Sequence, residues 1–354
     1  MVILPSLLLL ASAQAAAAAA PLPAEIHNFG DWSVACDNGL RCQAVAMVPE
    51  TAPGAEEPEG AQSPWDRYGV MMFERGPEAD APLVITISDF EGTPASISKY
   101  DEALNVRFLP VDEGNWRVEA ADQKAFLDAL YSENLVVKDA AGKILAEIAL
   151  GGAWGSIIYM DERQGRLRTA SSLLRPGSRP LSVIPPAPPL PVIAVPPVSR
   201  ETPLVIPARQ LATVRRDKGC LASEVGGEDG QESVALGNGR TLVLMSCGAG
   251  AYNFNSLPLI AWREGRTIRI EEANFDVEKQ ETSTERLQHL ITNAQWNPAR
   301  NGIEEYSKGR GLGDCGVRAT YVWDGRGFRL ADQMEMSECR GTYQYLTTWR
   351  TQTR

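Results

Sequence analysis

P-G-S-R-P-L-S-V-I-P-P-A-P-P-L-P-V-I-A-V-P-P-V-S-R-E-T-P-L-V-I-P, running from Pro176 to Pro207, decides how the rest of the chain is read. Between Pro185 and Pro197 seven of thirteen residues are proline. Each proline fixes φ at about −65°, removes a backbone donor and steers its predecessor out of the α region. Helix interior and central strand are both excluded, which leaves polyproline II at about 3.1 Å per residue. The run therefore divides the chain into two modules, residues 24–175 and residues 208–354, joined by a linker at 176–207. Leu181–Ile184, Val192–Val195 and Leu204–Ile206 are apolar clusters, unusual for a solvated spacer. They predict that part of the run lies along a module surface and helps fix the two modules relative to each other.

Working outward to the amino end, residues 1–20 carry no charge. Val2–Leu10 is an apolar core followed by small residues with several A-x-A cleavage choices. That pattern predicts a secretory signal peptide, too short in its apolar core for a span of about 20 residues. The rest of the chain has no apolar run of that length, so no transmembrane segment is expected in the mature protein. The formal charge of the 354 residues is −11, and it is unevenly placed. Up to Ser199 there are 25 acidic and 14 basic residues, whereas from Arg200 onward there are 20 of each. An acidic first module disfavours nucleic acid or an anionic membrane surface as partner.

Six cysteines follow the leader: Cys36, Cys42, Cys220, Cys247, Cys315 and Cys339. An even count after an export signal predicts disulfides. Fifteen connectivities are open in principle. The linker, with two cysteines before it and four after, favours the local pairs Cys36–Cys42, Cys220–Cys247 and Cys315–Cys339. Chain-entropy arguments give about 2.4 kcal/mol for the first loop and about 3.5 kcal/mol for each of the others. A zinc site lacks a C-x-x-C pair, and His27 and His289, the only histidines, adjoin no cysteine. No metal and no cofactor are expected.

In the first module, F-G-D-W-S-V-A-C-D at Phe29–Asp37 alternates as a strand with Trp32, Val34 and Cys36 on one face. Asp37-Asn38-Gly39 turns it into Arg41–Val48, and Thr51–Ser63 reads as an acidic loop. Further strands are expected at Tyr68–Arg75, Leu83–Asp89, Asn105–Leu109 and Trp116–Glu119. A helix at Ala121–Tyr131 places Phe126, Leu127, Leu130 and Tyr131 on one stripe. A hairpin over Leu135–Leu150 and a helix from about Ala153 to Arg163 complete an α+β module. G-G-A-W-G-S at Gly151–Ser156 lacks P-loop, dinucleotide and nucleophile-elbow spacing, and reads as close helix–sheet packing.

The second module carries hairpin signals: Ser233–Leu236 and Arg240–Ser246 around Asn238-Gly239, then Ala251–Trp262 as another pair. Glu278–His289 reads as its one helix. Leu290–Trp296, Ile303–Lys308, Val317–Trp323 and Phe328–Met336 are further strands, the last two turned by Asp324-Gly325. The whole is β-rich, with a mainly antiparallel carboxy-terminal module, a sandwich or open barrel. G-R-G-L-G-D-C-G-V-R-A-T-Y-V-W with Glu338–Gly341 is the densest local pattern. Arg310, Asp314, Tyr321, Trp323 and Arg340 are the candidate binding residues, as a polar–aromatic surface. The competing reading has glycines shaping a disulfide loop and aromatics filling a small core. No D-x-[DN]-x-[DN]-G calcium loop exists.

F-G-D-W-S-V-A-C-D-N…R-C-Q-A, M-D-E-R-Q-G-R, S-C-G-A-G-A-Y-N, G-L-G-D-C-G, W-D-G…F-R-L and E-C-R-G, in this order, resemble an uncharacterised six-cysteine exported bacterial family, domain of unknown function 1176. The opening G-D-W-x-V-x-C is also similar to the start of invasion-associated locus B proteins. The first resemblance implies a periplasmic location and brings no activity or catalytic residue. Two histidines leave little material for a triad, while carboxylate chemistry stays open because acids are plentiful. The expectation is an exported, non-catalytic protein that binds a partner protein or cell-envelope component. The alternative is carbohydrate or peptidoglycan binding, or a carboxylate-dependent glycan hydrolase.

Overall fold

The computed structural model describes residues 20–50, 64–99, 102–112, 114–131, 134–220, 232–278, 280–281 and 287–354. The expected signal peptide, up to residue 19, and the expected loop Thr51–Ser63 lie outside the described residues.

Alternation in the first half builds a seven-stranded antiparallel sheet. Its spatial order is His27–Phe29, Trp32–Cys36, Cys42–Ala46, Val70–Arg75, Leu83–Ser88, Asn115–Val118 and Phe108–Asp112. A second sheet orders Ile144–Ala149, Asn134–Lys138, Ser96–Lys99 and Glu102–Leu104. Trp32, Val34, Phe73, Ile85, Ile97, Val137 and Ile148 meet in one core. The helix Ala153–Arg163 adds Ile157 and Met160 to it. That helix starts where Gly152 adopts φ 106°, and a Cβ there would collide with the Phe29 carbonyl oxygen. Only glycine allows this approach of helix to strand.

Phe29–Asp37 is not one strand. Gly30, at φ 55° and with a would-be Cβ 2.7 Å from the Gly151 oxygen, turns the chain between His27–Phe29 and Trp32–Cys36. The helix expected over Ala121–Tyr131 is shorter, a 3-10 turn Ala120–Asp122 running into Gln123–Asp128. Phe126 and Leu130 are buried, but Tyr131, beyond the helix end, is exposed.

The second half is a sandwich of two antiparallel sheets. One orders Glu232–Gly237, Arg240–Ala249, Phe254–Glu264 and Thr267–Glu272, with Ile291–Thr292 paired to the third strand. The other orders Gln295–Asn297, Gly302–Lys308, Gly316–Trp323, Phe328–Met336 and Leu346–Arg350. Leu242, Leu244 and Ile260 from the first meet Ile303, Tyr321, Trp323 and Phe328 from the second. Asn238 at φ 52° and Gly239 at φ 68° make the tight turn that links the first two strands. Ala251–Trp262 is not a pair: Phe254–Glu264 is one long strand, bonded on both edges.

The expected helix Glu278–His289 is also replaced. Its described parts, Gln280–Glu281 and Leu287–Gln288, pair antiparallel, and Ile291 just beyond is drawn into the sandwich. Local helix preference yields here to a separate two-stranded sheet. Among the described residues the helix of this half is Ala208–Lys218, which begins after Pro207 and ends at Gly219 with φ 72°. Leu211 packs it on Val243, Met245, Leu257 and Leu259, on the outer face of the first sheet. Three disulfides, Cys36–Cys42, Cys220–Cys247 and Cys315–Cys339, brace the chain.

The proline-rich run is pinned to the sandwich side. Val192–Ile193 pairs in parallel with Gln352–Thr353. Gln352 N donates to the Pro191 oxygen at 2.8 Å, Arg354 N to Ile193 at 3.0 Å, and Val195 N to Arg354 at 2.9 Å. Further along, the Glu201 carboxylate accepts from the backbone of Asn238 and Gly239. A run so tied resists unfolding into a protease cleft. Limited proteolysis of the full chain should therefore spare 190–197, and removing residues 352–354 should speed cutting there several-fold. Rapid cutting throughout the intact run would contradict this pairing.

Candidate functional site

The sheet formed by Gly302–Lys308, Gly316–Trp323 and Phe328–Met336 sorts its side chains by pleat. Ile303, Glu305, Tyr321, Trp323, Phe328 and Leu330 turn into the sandwich, whereas Glu304, Tyr306, Lys308, Arg318 and Thr320 turn to the opposite face. A register shift between Thr320 and Tyr321 inserts Ala331 as an extra residue, which returns Asp332 to the side of Thr320. The open face carries a cavity of about 650 Å³, also bounded by Asn293, Gln295 and Met334.

The cavity is polarised along the strands. At one end Asp332 is held by the Arg300 guanidinium and by the Thr320 hydroxyl at 3.0 Å, and Glu304 accepts from the Asn297 amide. At the other end Arg318 lies over two tyrosine rings, 4.4 Å from the centre of Tyr306 and 4.6 Å from that of Tyr345. Lys308 Nζ is 5.3 Å from the Tyr306 centre. The Tyr306 and Tyr345 hydroxyls both donate to the Gly313 oxygen. Burial pushes the Tyr306 phenol up, but hydrogen bonds from Arg318 and Tyr345 and the two nearby cations outweigh it, leaving its pKa lowered. Burial, with the hydrogen bond to Tyr306, raises Tyr345.

The sequence candidates fall in three different places. Trp323 is 2% exposed and Tyr321 7% exposed, both within the sandwich, and the Tyr321 hydroxyl donates to the Glu305 carboxylate at 3.1 Å. Arg310 and Asp314 pair with each other, and Asp314 also accepts from Gly341 N at 2.8 Å, closing the loop around Cys315–Cys339. Arg340 crosses to the first half, donating to the Val48 oxygen at 2.9 Å, the Gly30 oxygen at 3.1 Å and the Asp31 carboxylate. None of the five lines the cavity on the open face. Tyr306 and Lys308 were missed because Gly302–Lys308 carries polar residues in both phases of the alternation, whereas Arg318 stands in the polar phase of a regularly alternating strand.

M-D-E-R-Q-G-R resolves into a buried polar knot. Asp161 is fully buried and takes Arg75 NH1 at 2.7 Å, the Ser172 hydroxyl at 2.8 Å and Leu173 N at 2.8 Å. Gln164 donates to the Leu40, Arg75 and Gly76 oxygens, and Arg166 to Gln164 and Ala79. Burial pushes Asp161 up against the bonds from Leu173 N and Ser172 and the charges of Arg75 and Arg166, while burial and the nearby Arg166 push Arg75 down to about 10 against its pairing with Asp161. Asp161, Arg75, Gln164 and Arg166 are all buried, so this network fixes structure. The histidines lie elsewhere too: His27 meets the Tyr159 ring at a tilt, centres 4.7 Å apart, and His289 meets Phe275 likewise at 5.0 Å. Among the described residues no three His, Cys, Asp or Glu converge as a metal site.

A family described as "Protein of unknown function (DUF1176)" matches residues 26–354, and the chain belongs to that family. The chain is 26% identical over 351 residues to "Uncharacterized protein YpfG" of Escherichia coli (strain K12), covering 91% of this chain and 92% of that protein. No solved structure matches it.

Glu305 gives the sheet a pH signature. Burial raises its pKa, against the hydrogen bonds from Thr292 N and Tyr321. Below the unfolded carboxyl pKa of about 4.3 both states are protonated. As pH rises through the folded value the unfolded chain releases its proton first, so stability falls. Glu305→Gln keeps an acceptor and removes the titration. Its stability relative to the unaltered protein, from urea melts at pH 4 and pH 7.5, should improve at the higher pH. A difference independent of pH would contradict this.

Proposed function

We propose that this family member is an exported protein of the bacterial envelope that binds a partner or envelope component without transforming it, through the cavity on the open face of its carboxy-terminal sheet. The observation that carries the reading is the set of charged and aromatic side chains presented there by a rigid, disulfide-braced sandwich. Binding sites built on strands hold their geometry better than sites on loops. Three disulfides suit an oxidising compartment such as the periplasm. Among the described residues no helix is long and apolar enough to cross a membrane.

A carboxylate-dependent glycan hydrolase is the weaker reading. Glu304 and Asp332 do line the cavity, but each is engaged by neighbouring side chains, and neither histidine lines it. Residues 24–175 and 208–354 act in this reading as two modules, the first an acidic brace for the second. A non-catalytic role asks only that the cavity recognise its ligand, which fits side chains fixed on aromatic platforms.

Site-specific photo-crosslinking in living cells tests the reading. A photoreactive residue at Gln295, on the cavity rim, should yield a reproducible adduct, whereas one at Lys124, exposed on the first half, should not. No adduct at Gln295, or the same adducts at both positions, would overturn it.

A further inference from the structure

Arg300, Arg310 and Arg329 each end on a carboxylate: Asp332, Asp314 and Asp324. Arg318 and Lys308 differ. No ion pair among the described residues engages either, and both lie against the Tyr306 ring. In the strand register Arg318 stands opposite Tyr306 and Lys308 is diagonal to it, opposite Gly316. Diagonal neighbours across antiparallel strands are about 7–8 Å apart at the backbone, a gap that two long side chains close easily.

Two like charges held side by side repel, and their solvation is curtailed where they flank a half-buried ring. The arrangement persists because the aromatic faces attract the cations and fix the guanidinium plane. Beyond its bond to the Tyr306 phenol, the stacked guanidinium has further N–H donors in the fork geometry that matches a phosphate or carboxylate, and little rotamer freedom is left to lose on binding. Three acids line the cavity and do not cancel this field: Glu305 is taken up by Thr292 N and the Tyr321 hydroxyl. Asp332 is neutralised by Arg300, and Glu304 sits one cross-strand row away, about 6.6 Å along the strand.

The geometry points to Lys308 and Arg318, seated on Tyr306, as the oxyanion subsite of this cavity, taking the phosphate or carboxylate of a ligand whose remainder runs along the sheet toward Gln295. The assignment rests on the binding reading above and names the chemistry of its ligand. Phosphate and carboxylate share the oxyanion geometry and differ in charge, so separate probes distinguish them.

The full mature chain, 15N-labelled, is titrated at constant ionic strength with inorganic phosphate and, separately, with N-acetylglycine. The side-chain Nε–Hε resonance of Arg318 should shift saturably with at least one probe. Saturation by phosphate alone identifies a phosphoryl ligand, and saturation by N-acetylglycine a carboxylate. Lys308→Gln, which leaves the tyrosine stack intact, should weaken binding at least tenfold, as should Arg318→Gln. Shifts linear in concentration, shifts as large at the exposed Arg326, or affinity unchanged in Lys308→Gln would overturn the assignment. Undiminished photo-crosslinking at Gln295 in the Lys308→Gln/Arg318→Gln double variant would overturn it too while leaving cavity binding standing. An unaltered protein that yields no Gln295 adduct removes both.

Discussion

The hairpin Trp32–Cys36 and Cys42–Ala46 is buried on both faces, and the remaining structure hangs on it. Trp32, Val34, Cys36, Cys42 and Ala44 turn inward to the first-half core, while Ala35 and Val45 turn outward to Met336, Tyr345 and Leu346. Burying a side chain of this size stabilises by about 1.5–3 kcal/mol, and a strand whose two faces are both covered collects the benefit twice. The outer contact is also polar at its rim. Gln43 accepts from Thr347 N at 2.9 Å, and Asn38 exchanges bonds with both backbone groups of Arg350 at 2.8 and 2.9 Å. Asp37 meets the Arg350 guanidinium while it also caps the turn through Gly39 N and Arg41 N.

That docking explains how the chain ends communicate. Leu346–Arg350 is the edge strand of the sheet that carries the cavity, and the hairpin covers it from one side. Two residues further on, Gln352–Thr353 captures Val192–Ile193 from the proline-rich run. An exposed edge strand invites pairing with other chains, and here Asn38 and Gln43 of the hairpin region take up its backbone groups at Arg350 and Thr347, while the run pairs with the next strand. Tyr306, Met334 and Cys339 pack at the margin of the same contact, so the cationic end of the cavity lies beside the seam. The position of Arg318 is thus set by the fold of residues nearly three hundred positions earlier as well as by its own strand.

Local signals in the sequence carried much of this. The helix Ala153–Arg163 follows from its glycine start and apolar spacing, and the Asn238-Gly239 hairpin from a dipeptide that tolerates positive φ at both positions. What failed had physical causes. Glu278–His289 reads as a helix by composition, yet Gln280–Glu281 and Leu287–Gln288 pair with each other as a separate two-stranded sheet. Ala208–Lys218 has Arg and Lys in its last turn and Gly219 after it, signals overshadowed by the prolines before it. The cavity was hidden in Glu304-Glu305, where two adjacent acids face opposite sides of one sheet, and in the bulge at Ala331, which no residue pattern marks. The five residues read as a surface were chosen for chemistry alone. Burial of Tyr321 and Trp323 depends on which phase of the strand faces the partner sheet, and that is a tertiary property.

Native-state hydrogen exchange on Val45→Ala is the most direct test of the hairpin's role. Val45 lies on the outward face and is fully buried. Truncating it loosens the contact with Leu346 without touching the strand that carries Arg318. The account predicts that amide protection falls together, by similar factors, over Trp32–Ala46 and Leu346–Arg350. Loss confined to Trp32–Ala46, with Leu346–Arg350 as protected as before, would contradict it.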